Sequence, residues 1–230
     1  MTTLKPYAVI DCEQQEIIAT KTLEFLGNST NLLESKDLEL WNKINTLELL
    51  KAVPEINVFY RSMGLKIKEV AFTVWNSTED VGLHIDELPV IAKINFPILN
   101  TQHTYNEWYT VPDPLFQTVK PIVNHFGSVF YNLSDIDLDQ CTKIAEIELT
   151  KPVVFNSQIP HKIRMGADAQ FPRIVMTCMF FNQPLEWIEL TRSDAQVSLI
   201  CACSFCEQCL PGCTQGRVRF PSLCLKMCAR

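Results

Sequence analysis

The sequence predicts a mainly β domain of the α+β kind, a sandwich or barrel with an N-terminal helical segment packed outside one sheet. Three observations carry the expectation. From residue 67 onward the chain breaks into short runs rich in β-branched and aromatic residues, spaced roughly 8 to 12 residues apart. Before that point apolar residues recur at mixed three- and four-residue spacing, the mark of amphipathic helices. A length of 230 residues, 47% hydrophobic and 20% charged, suits one domain with a sizeable core.

Taken in order, Leu32, Leu33, Leu40, Trp41, Ile44, Leu47, Leu50 and Val53 predict one or two helices that stop before Pro54. Pro54 suits the first turn of another helix, P-E-I-N-V-F-Y-R-S-M-G, with Gly64 as its C-terminal cap. K-I-K-E-V-A-F-T-V-W then alternates with period two and predicts a strand over 67–75. Further strands are expected at 81–86, 90–99, 105–111, 127–131, 144–149, 152–156, 159–164, 172–181 and 185–190. The expected organisation is one domain over 1–195, with 1–66 as helical support and 67–190 as the β core, followed by a separate segment over 196–230. No repeat or low-complexity linker interrupts it.

Charge and cysteine use divide the chain near residue 200. Arg217, Arg219, Lys226 and Arg230 against Glu207 give residues 201–230 a balance of +3, which leaves −9 on residues 1–200 for a total of −6. An acidic body argues against nucleic acid as a partner, since phosphates demand clustered Lys and Arg. Seven of the ten cysteines lie between 201 and 228, and only Cys12, Cys141 and Cys178 lie in the body. That usage, with no secretory signal at the N-terminus and no apolar run near the roughly 20 residues of a membrane helix, predicts a cytoplasmic protein.

The stretch V-G-L-H-I-D-E-L-P-V places His84 and Asp86 two apart in an apolar run. On a strand they share one face, because successive side chains alternate sides. The pair reads either as polar residues closing a strand or as half of a metal site. Of the remaining histidines, His103 and His125 lie in polar, loop-like surroundings, whereas His161 opens an expected strand after a proline turn. Two imidazoles and one carboxylate with open positions form the facial triad suited to non-haem Fe(II) and dioxygen. A closed zinc site would need a fourth ligand, usually a thiolate, and none stands near His84.

Residues 84–110, beginning H-I-D-E-L-P-V-I-A-K-I-N-F-P, and 152–181, containing I-P-H-K-I-R and F-P-R-I-V-M-T-C-M-F-F, resemble the iron(II)- and 2-oxoglutarate-dependent dioxygenases. The likeness rests on H-x-D at His84 and Asp86, a distal histidine at His161, and an arginine at the start of a later strand, Arg173. It spans roughly residues 54–190 and implies a double-stranded β-helix, a jelly-roll or cupin-like barrel. It also implies Fe(II), 2-oxoglutarate as cosubstrate and dioxygen, with hydroxylation of a small-molecule or peptide substrate and release of succinate and carbon dioxide. Arg173 is then the partner of the far carboxylate of the keto acid. A lone guanidinium on an apolar strand calls for an anion, and its planar fork suits a carboxylate. Many members carry serine two residues after the arginine, where this chain has Val175. Arg164 is a rival anchor, and Asn95 and Tyr105 are candidate cosubstrate contacts whose other reading is a solvent face or core packing.

In the tail, Cys203, Cys206, Cys209 and Cys213 follow C-x2-C-x2-C-x3-C, the spacing of a ferredoxin cluster run, but Thr214 stands where such runs have proline and a second full run is lacking. Zinc is the milder metal reading. The favoured reading is a terminal segment outside the fold, such as a read-through or frame-shifted end. Two alternatives to an oxygenase therefore stand: a jelly-roll that binds a ligand or partner without chemistry, and a metalloprotein of the cysteine tail. Residues 111–126 and 132–143 are candidate lids, and neither the substrate nor the oligomeric state is legible.

Overall fold

Alternating runs pair into two six-stranded antiparallel sheets in the computed structural model, which describes residues 3–29, 41–86, 89–123 and 129–190. Contacts divide the chain into a unit of Leu4–Glu189 and a unit of Met1–Thr3 with Leu190–Arg230. Both six-stranded sheets and every helix among the described residues lie in the first, and of the second only Thr3 and Leu190 are described. The strands are β1 (Thr3–Leu4), β2 (Tyr7–Val9), β3 (Trp41–Lys43), β4 (Ile67–Trp75), β5 (Val81–Ile85), β6 (Ala92–Leu99) and β7 (Thr104–Thr110), then β8 (Pro121–Val123), β9 (Val129–Asn132), β10 (Thr142–Glu148), β11 (Val153–Asn156), β12 (His161–Met165), β13 (Arg173–Phe180) and β14 (Glu189–Leu190). One sheet runs β2-β11-β6-β13-β4-β3 and the other β10-β7-β12-β5-β9-β8. The helices are α1 (Gln15–Ser29), α2 (Thr46–Ala52), α3 (Pro54–Ser62) and the single turn α4 (Asp113–Phe116).

Period-two alternation sorts the first sheet into two unlike faces. Val70, Phe72 and Val74 of β4, Ile94, Phe96 and Ile98 of β6, and Ile174, Met176 and Cys178 of β13 form one apolar core with Ile18 and Leu26 of α1, Leu49 of α2, and Ile56 and Tyr60 of α3. Their alternates, Lys93 and Asn95 on β6 and Arg173 and Thr177 on β13, turn to the other side. The second sheet stands there: Trp108 of β7 packs on Phe155 of β11 with ring centroids 4.8 Å apart, and stacks on Tyr7 at 5.2 Å. The outward face of the second sheet is covered in turn. Leu83, Ile85, Tyr109 and Val111 pack with Leu115, Phe116 and Val119 and with Leu133, Ile136 and Leu138. The described parts of 111–126 and 132–143, candidate lids by sequence, thus pack on the face of β5 opposite His84.

Several expectations are corrected. Residues 185–190 are not one strand but a 3-10 turn, Leu185–Trp187, followed by the two-residue β14. Pro184 precedes the turn, and Leu185 and Ile188, three apart, share one buried side as 3-10 geometry dictates. Trp41 belongs to an edge strand paired with Thr73 of β4, not to a helix. The helix begins only after Asn45, whose side chain accepts from the Leu47 and Glu48 amides at 3.1 and 3.4 Å. Residues 30–40 and the tail cysteines, Cys203, Cys206, Cys209 and Cys213 among them, lie outside the described residues. α3 starts on Pro54 and is followed by Gly64 at φ 72°, where glycine avoids the Cβ clash of a left-handed residue. No helix among the described residues is long and apolar enough to cross a membrane.

Because Phe96 is fully buried between β6 and the helices, Phe96→Ala should destabilise the fold by about 3–5 kcal/mol, the cost of losing an aromatic from a packed core. Equilibrium denaturant unfolding measures it, and a loss below about 1 kcal/mol would contradict this packing.

Candidate metal centre

β5 and β12 are neighbours, and their antiparallel register sets His161 opposite His84. Asp86 follows β5 on the same face as His84, while Leu83 and Ile85 pack the other. The three side chains form the one group of potential metal ligands among the described residues, with ligand atoms all within 4.8 Å of one another. His161 Nε2 lies 3.4 Å from Asp86 Oδ2, and His84 Nε2 lies 3.9 Å from Asp86 Oδ1. Ligands held at about 2.0–2.2 Å from one ion are spaced roughly so.

Both rings are oriented from behind. His84 Nδ1 lies 2.7 Å from the Gly82 carbonyl and His161 Nδ1 2.8 Å from the Ile159 carbonyl, contacts in which a ring N–H donates and leaves Nε2 as the free lone pair. Phe155 meets the His161 ring edge to face at 4.6 Å. The backbone at Asp86 is tied to the turn before His161: its N–H donates to the Ser157 carbonyl at 3.1 Å, and Gln158 Nε2 donates to the Asp86 and Val90 carbonyls at 3.5 and 2.7 Å. Residues 86 and 161, 75 positions apart in sequence, are thereby held as one unit.

Electrostatics favour the forms of His84 and Asp86 that a metal requires. Burial, with His161 adding to it, lowers His84 to about 4, so its imidazole is neutral near pH 7. Burial opposes ionisation of Asp86, but Lys93, then His161 and His84, outweigh it and hold the carboxyl well below its usual range. Lys93 Nζ lies 2.5 Å from Asp86 Oδ2, its side chain 9% exposed. The donor set therefore fits a divalent ion of the facial-triad kind: two imidazoles, one carboxylate and, among the described residues, no thiolate, since Cys12, Cys141 and Cys178 stand outside the cluster.

Arg173 opens β13 on the inward side and is 1% exposed. Its Nε donates to Thr104 Oγ1 at 3.0 Å across the gap between the sheets, and among the described residues no carboxylate pairs with it. Burial alone pushes it down to about 10. Thr104 and Trp108, which is level with His161, sit four residues apart on β7, about 13 Å along the strand. Asn106 lies between them on the same face, buried, with both amide atoms lacking a hydrogen-bond partner. Asn95 also faces inward and accepts from Thr177 Oγ1 at 3.0 Å.

Two other sequence candidates face away. Tyr105 alternates with Thr104 and Asn106 onto the outward side of β7, where the Arg164 guanidinium lies 4.2 Å above its ring. Arg164 donates to Glu107 at 2.8 Å and Glu146 at 3.3 Å, within a network that Lys143 and the Tyr109 hydroxyl complete. Sequence reasoning missed Lys93, Thr104, Asn106 and Gln158. A lone cation in the apolar A-K-I-N-F-P was the same signal that singled out Arg173, and it was legible at Lys93.

No family model matches the sequence, and no curated protein matches it. Among solved structures, the crystal structure of AviO1 from Streptomyces viridochromogenes Tue57 aligns with a TM-score of 0.45 and 9% identity, covering 79% of this chain and 92% of that one.

The lowered His84 sets a pH dependence. The folded state resists a proton that the unfolded chain accepts below about pH 6.5, so stability is full above that pH and falls as pH drops toward 4. Denaturant unfolding with chelator present should show this slope, and His84→Gln should flatten it. An unchanged slope in the variant would contradict a half-buried, neutral His84.

Proposed function

We propose that this chain is a non-haem Fe(II)- and 2-oxoglutarate-dependent oxygenase, a hydroxylase built on a double-stranded β-helix. The observation that carries the reading is the pairing, in one layer between two sheets, of the His84, Asp86 and His161 cluster with a buried guanidinium that no carboxylate among the described residues neutralises. His84, Asp86 and His161 would hold the iron on one side and leave its remaining positions for ligands. When bound, iron supplies the oxidising chemistry by which 2-oxoglutarate, dioxygen and a C–H bond become succinate, carbon dioxide and a C–OH group.

The chain's own residues do the rest. Arg173 receives the far carboxylate of the keto acid, a charge-assisted pairing strengthened by burial. Asn95 and Asn106 offer amide groups along the same layer. Trp108, Phe155 and Tyr7 close one region of it with aromatic surface and keep water from it. Tyr105 and Arg164 take no part, because they belong to the outward face. The family's usual serine is replaced by Val175, which packs with Leu149 and Val153, so Thr104 is the hydroxyl nearest to hand for Arg173.

A second reading is a sandwich that binds a ligand or partner without chemistry, and the Lys93 contact favours it, since Asp86 already has a cationic partner. Anaerobic Fe(II) titration followed by a succinate-release assay separates the two. The oxygenase should bind Fe(II) and 2-oxoglutarate and release succinate. Asp86→Ala should abolish all three signals, whereas Arg173→Met should keep Fe(II) binding and raise the 2-oxoglutarate requirement by about tenfold or more. Undiminished turnover in Asp86→Ala would remove the proposal.

A further inference from the structure

The three ligands are not equally enclosed, and the gradient gives the cluster a direction of access. The His161 side chain is 3% exposed, while His84 and Asp86 are 26% and 23% exposed. Solvent therefore reaches the cluster from the β5 side of the second sheet, away from β12 and β7. Beyond β5 come β9 and then the edge strand β8. Asn132 of β9 pairs with His84 and so shares its face, and Phe130, two residues back, shares it too. Because β9 is antiparallel to β5, the step from Asn132 to Phe130 follows the step from His84 to Asp86. Ile122 pairs with Phe130 and carries the row onto β8.

Phe130 is half-buried and Ile122 is 41% exposed, and neither joins the apolar clusters of the described residues. Tyr131, of opposite parity, packs outward on Phe116 instead. An edge strand selected only for solubility would carry charged side chains at such positions. On the other side of His84 the inner face is closed: Gly82 has no side chain, and Ser134 Oγ fills the space that a Cβ there would take. The open ground beside the ligands thus lies toward Phe130 and Ile122, and no residue of β8 or β9 carries a charge.

Resting on the oxygenase reading, we propose that Phe130 and Ile122 form the substrate subsite, and that the substrate is a small, uncharged molecule presenting a hydrocarbon ring or short chain to the metal. Covering this row with an aliphatic or aromatic group is favourable in proportion to the apolar area removed from water. A charged group would lose hydration there and gain no charged partner from either strand. From β5 to β8 is two strand spacings, about 10 Å, which matches the length of a ring system or a short chain.

The test reads binding without turnover. The full chain is loaded with Mn(II) and 2-oxoglutarate, and proton NMR follows cyclohexanol, cyclohexanecarboxylate and cyclohexylammonium as probes. Cyclohexanol held beside the paramagnetic ion should show broadened lines, and the same chain loaded with Zn(II) should not broaden them. The two charged probes should bind at least about tenfold more weakly. Ile122→Ser should weaken cyclohexanol by about fivefold or more while keeping Mn(II) binding, since the side chain is half-exposed. Phe130→Ser carries the same expectation. Val123→Ser, on the opposite face of β8, should leave the probe unchanged. Absent broadening, broadening that survives Ile122→Ser, or charged probes that match cyclohexanol would overturn the subsite while leaving the oxygenase reading intact. A capped Gly-Ser-Asn peptide that broadened in place of cyclohexanol would do the same and point to a polypeptide substrate. A wild-type chain that binds neither Mn(II) nor Fe(II) would instead remove the oxygenase reading, and the subsite with it.

Discussion

Charge buried between two sheets is the constraint around which this protein is built. Asp86, Lys93, Arg173 and the two imidazoles all lie in one layer, where an unpaired charge costs far more than in water. The fold answers that cost locally. Asp86 is flanked by Lys93 and by both histidines, and Lys93 by Asp86 and the face of Phe155. Each ring nitrogen that faces away from the cluster is tied to a backbone carbonyl. Arg173 is the exception, with one hydroxyl for a partner among the described residues. A layer so carefully compensated at one end and so little at the other has an electrostatic direction, positive toward Thr104.

The apolar parts of the molecule follow from the same alternation. A strand that turns Lys93 and Asn95 to the inner layer must turn Ile94 and Phe96 the other way, and that second face needs cover. α1, α2 and α3 supply it. The second sheet repeats the arrangement with less material: Leu83 and Ile85 alternate with His84, and side chains of short helical turns, such as Phe116 and Leu138, cover them. Segments that sequence reading took for lids thus act as the outer wall that lets β5 hold a histidine inward. Rigidity at the site comes from this double backing and from the Gln158 bridge between the turns that carry Asp86 and His161.

The sheets were legible because strand alternation is a local signal. The run from Ile67 to Trp75 is a strand as expected, and 172–181 differs from β13 by one residue at each end. α1 was not legible, and the reason is specific. Its buried stripe is Ile18, Thr22 and Leu26, so a polar residue stands at the centre of the apolar face. β8 escaped for the opposite reason: Pro121, Ile122 and Val123 are all exposed, and as an edge strand it needs no buried face. At the site, chemistry that depends on residue type and parity was visible in the sequence, as with His84, Asp86 and His161. Residues that act by reaching across the gap, Thr104 toward Arg173 or Gln158 toward Asp86, depend on which strands become neighbours. No local pattern encodes that.

Arg164 and Arg173 show how far parity reaches. Both follow His161 on strands, and composition distinguishes them weakly. β12 begins with His161 facing inward, so Arg164, three positions on, must face outward, where Glu107, Glu146 and the Tyr105 ring neutralise and cover it. Arg173 shares its face with Val175 and Thr177, across from Thr104. The outward arginine is satisfied by its own sheet and has no need of a ligand. The inward one sits in the layer that holds the histidines, and its chemistry stays incomplete until an anion enters. Odd or even spacing from His161 alone does not settle the matter, because Phe171 and Pro172 begin a new strand. The register of β13 against β6 and β4 settles it.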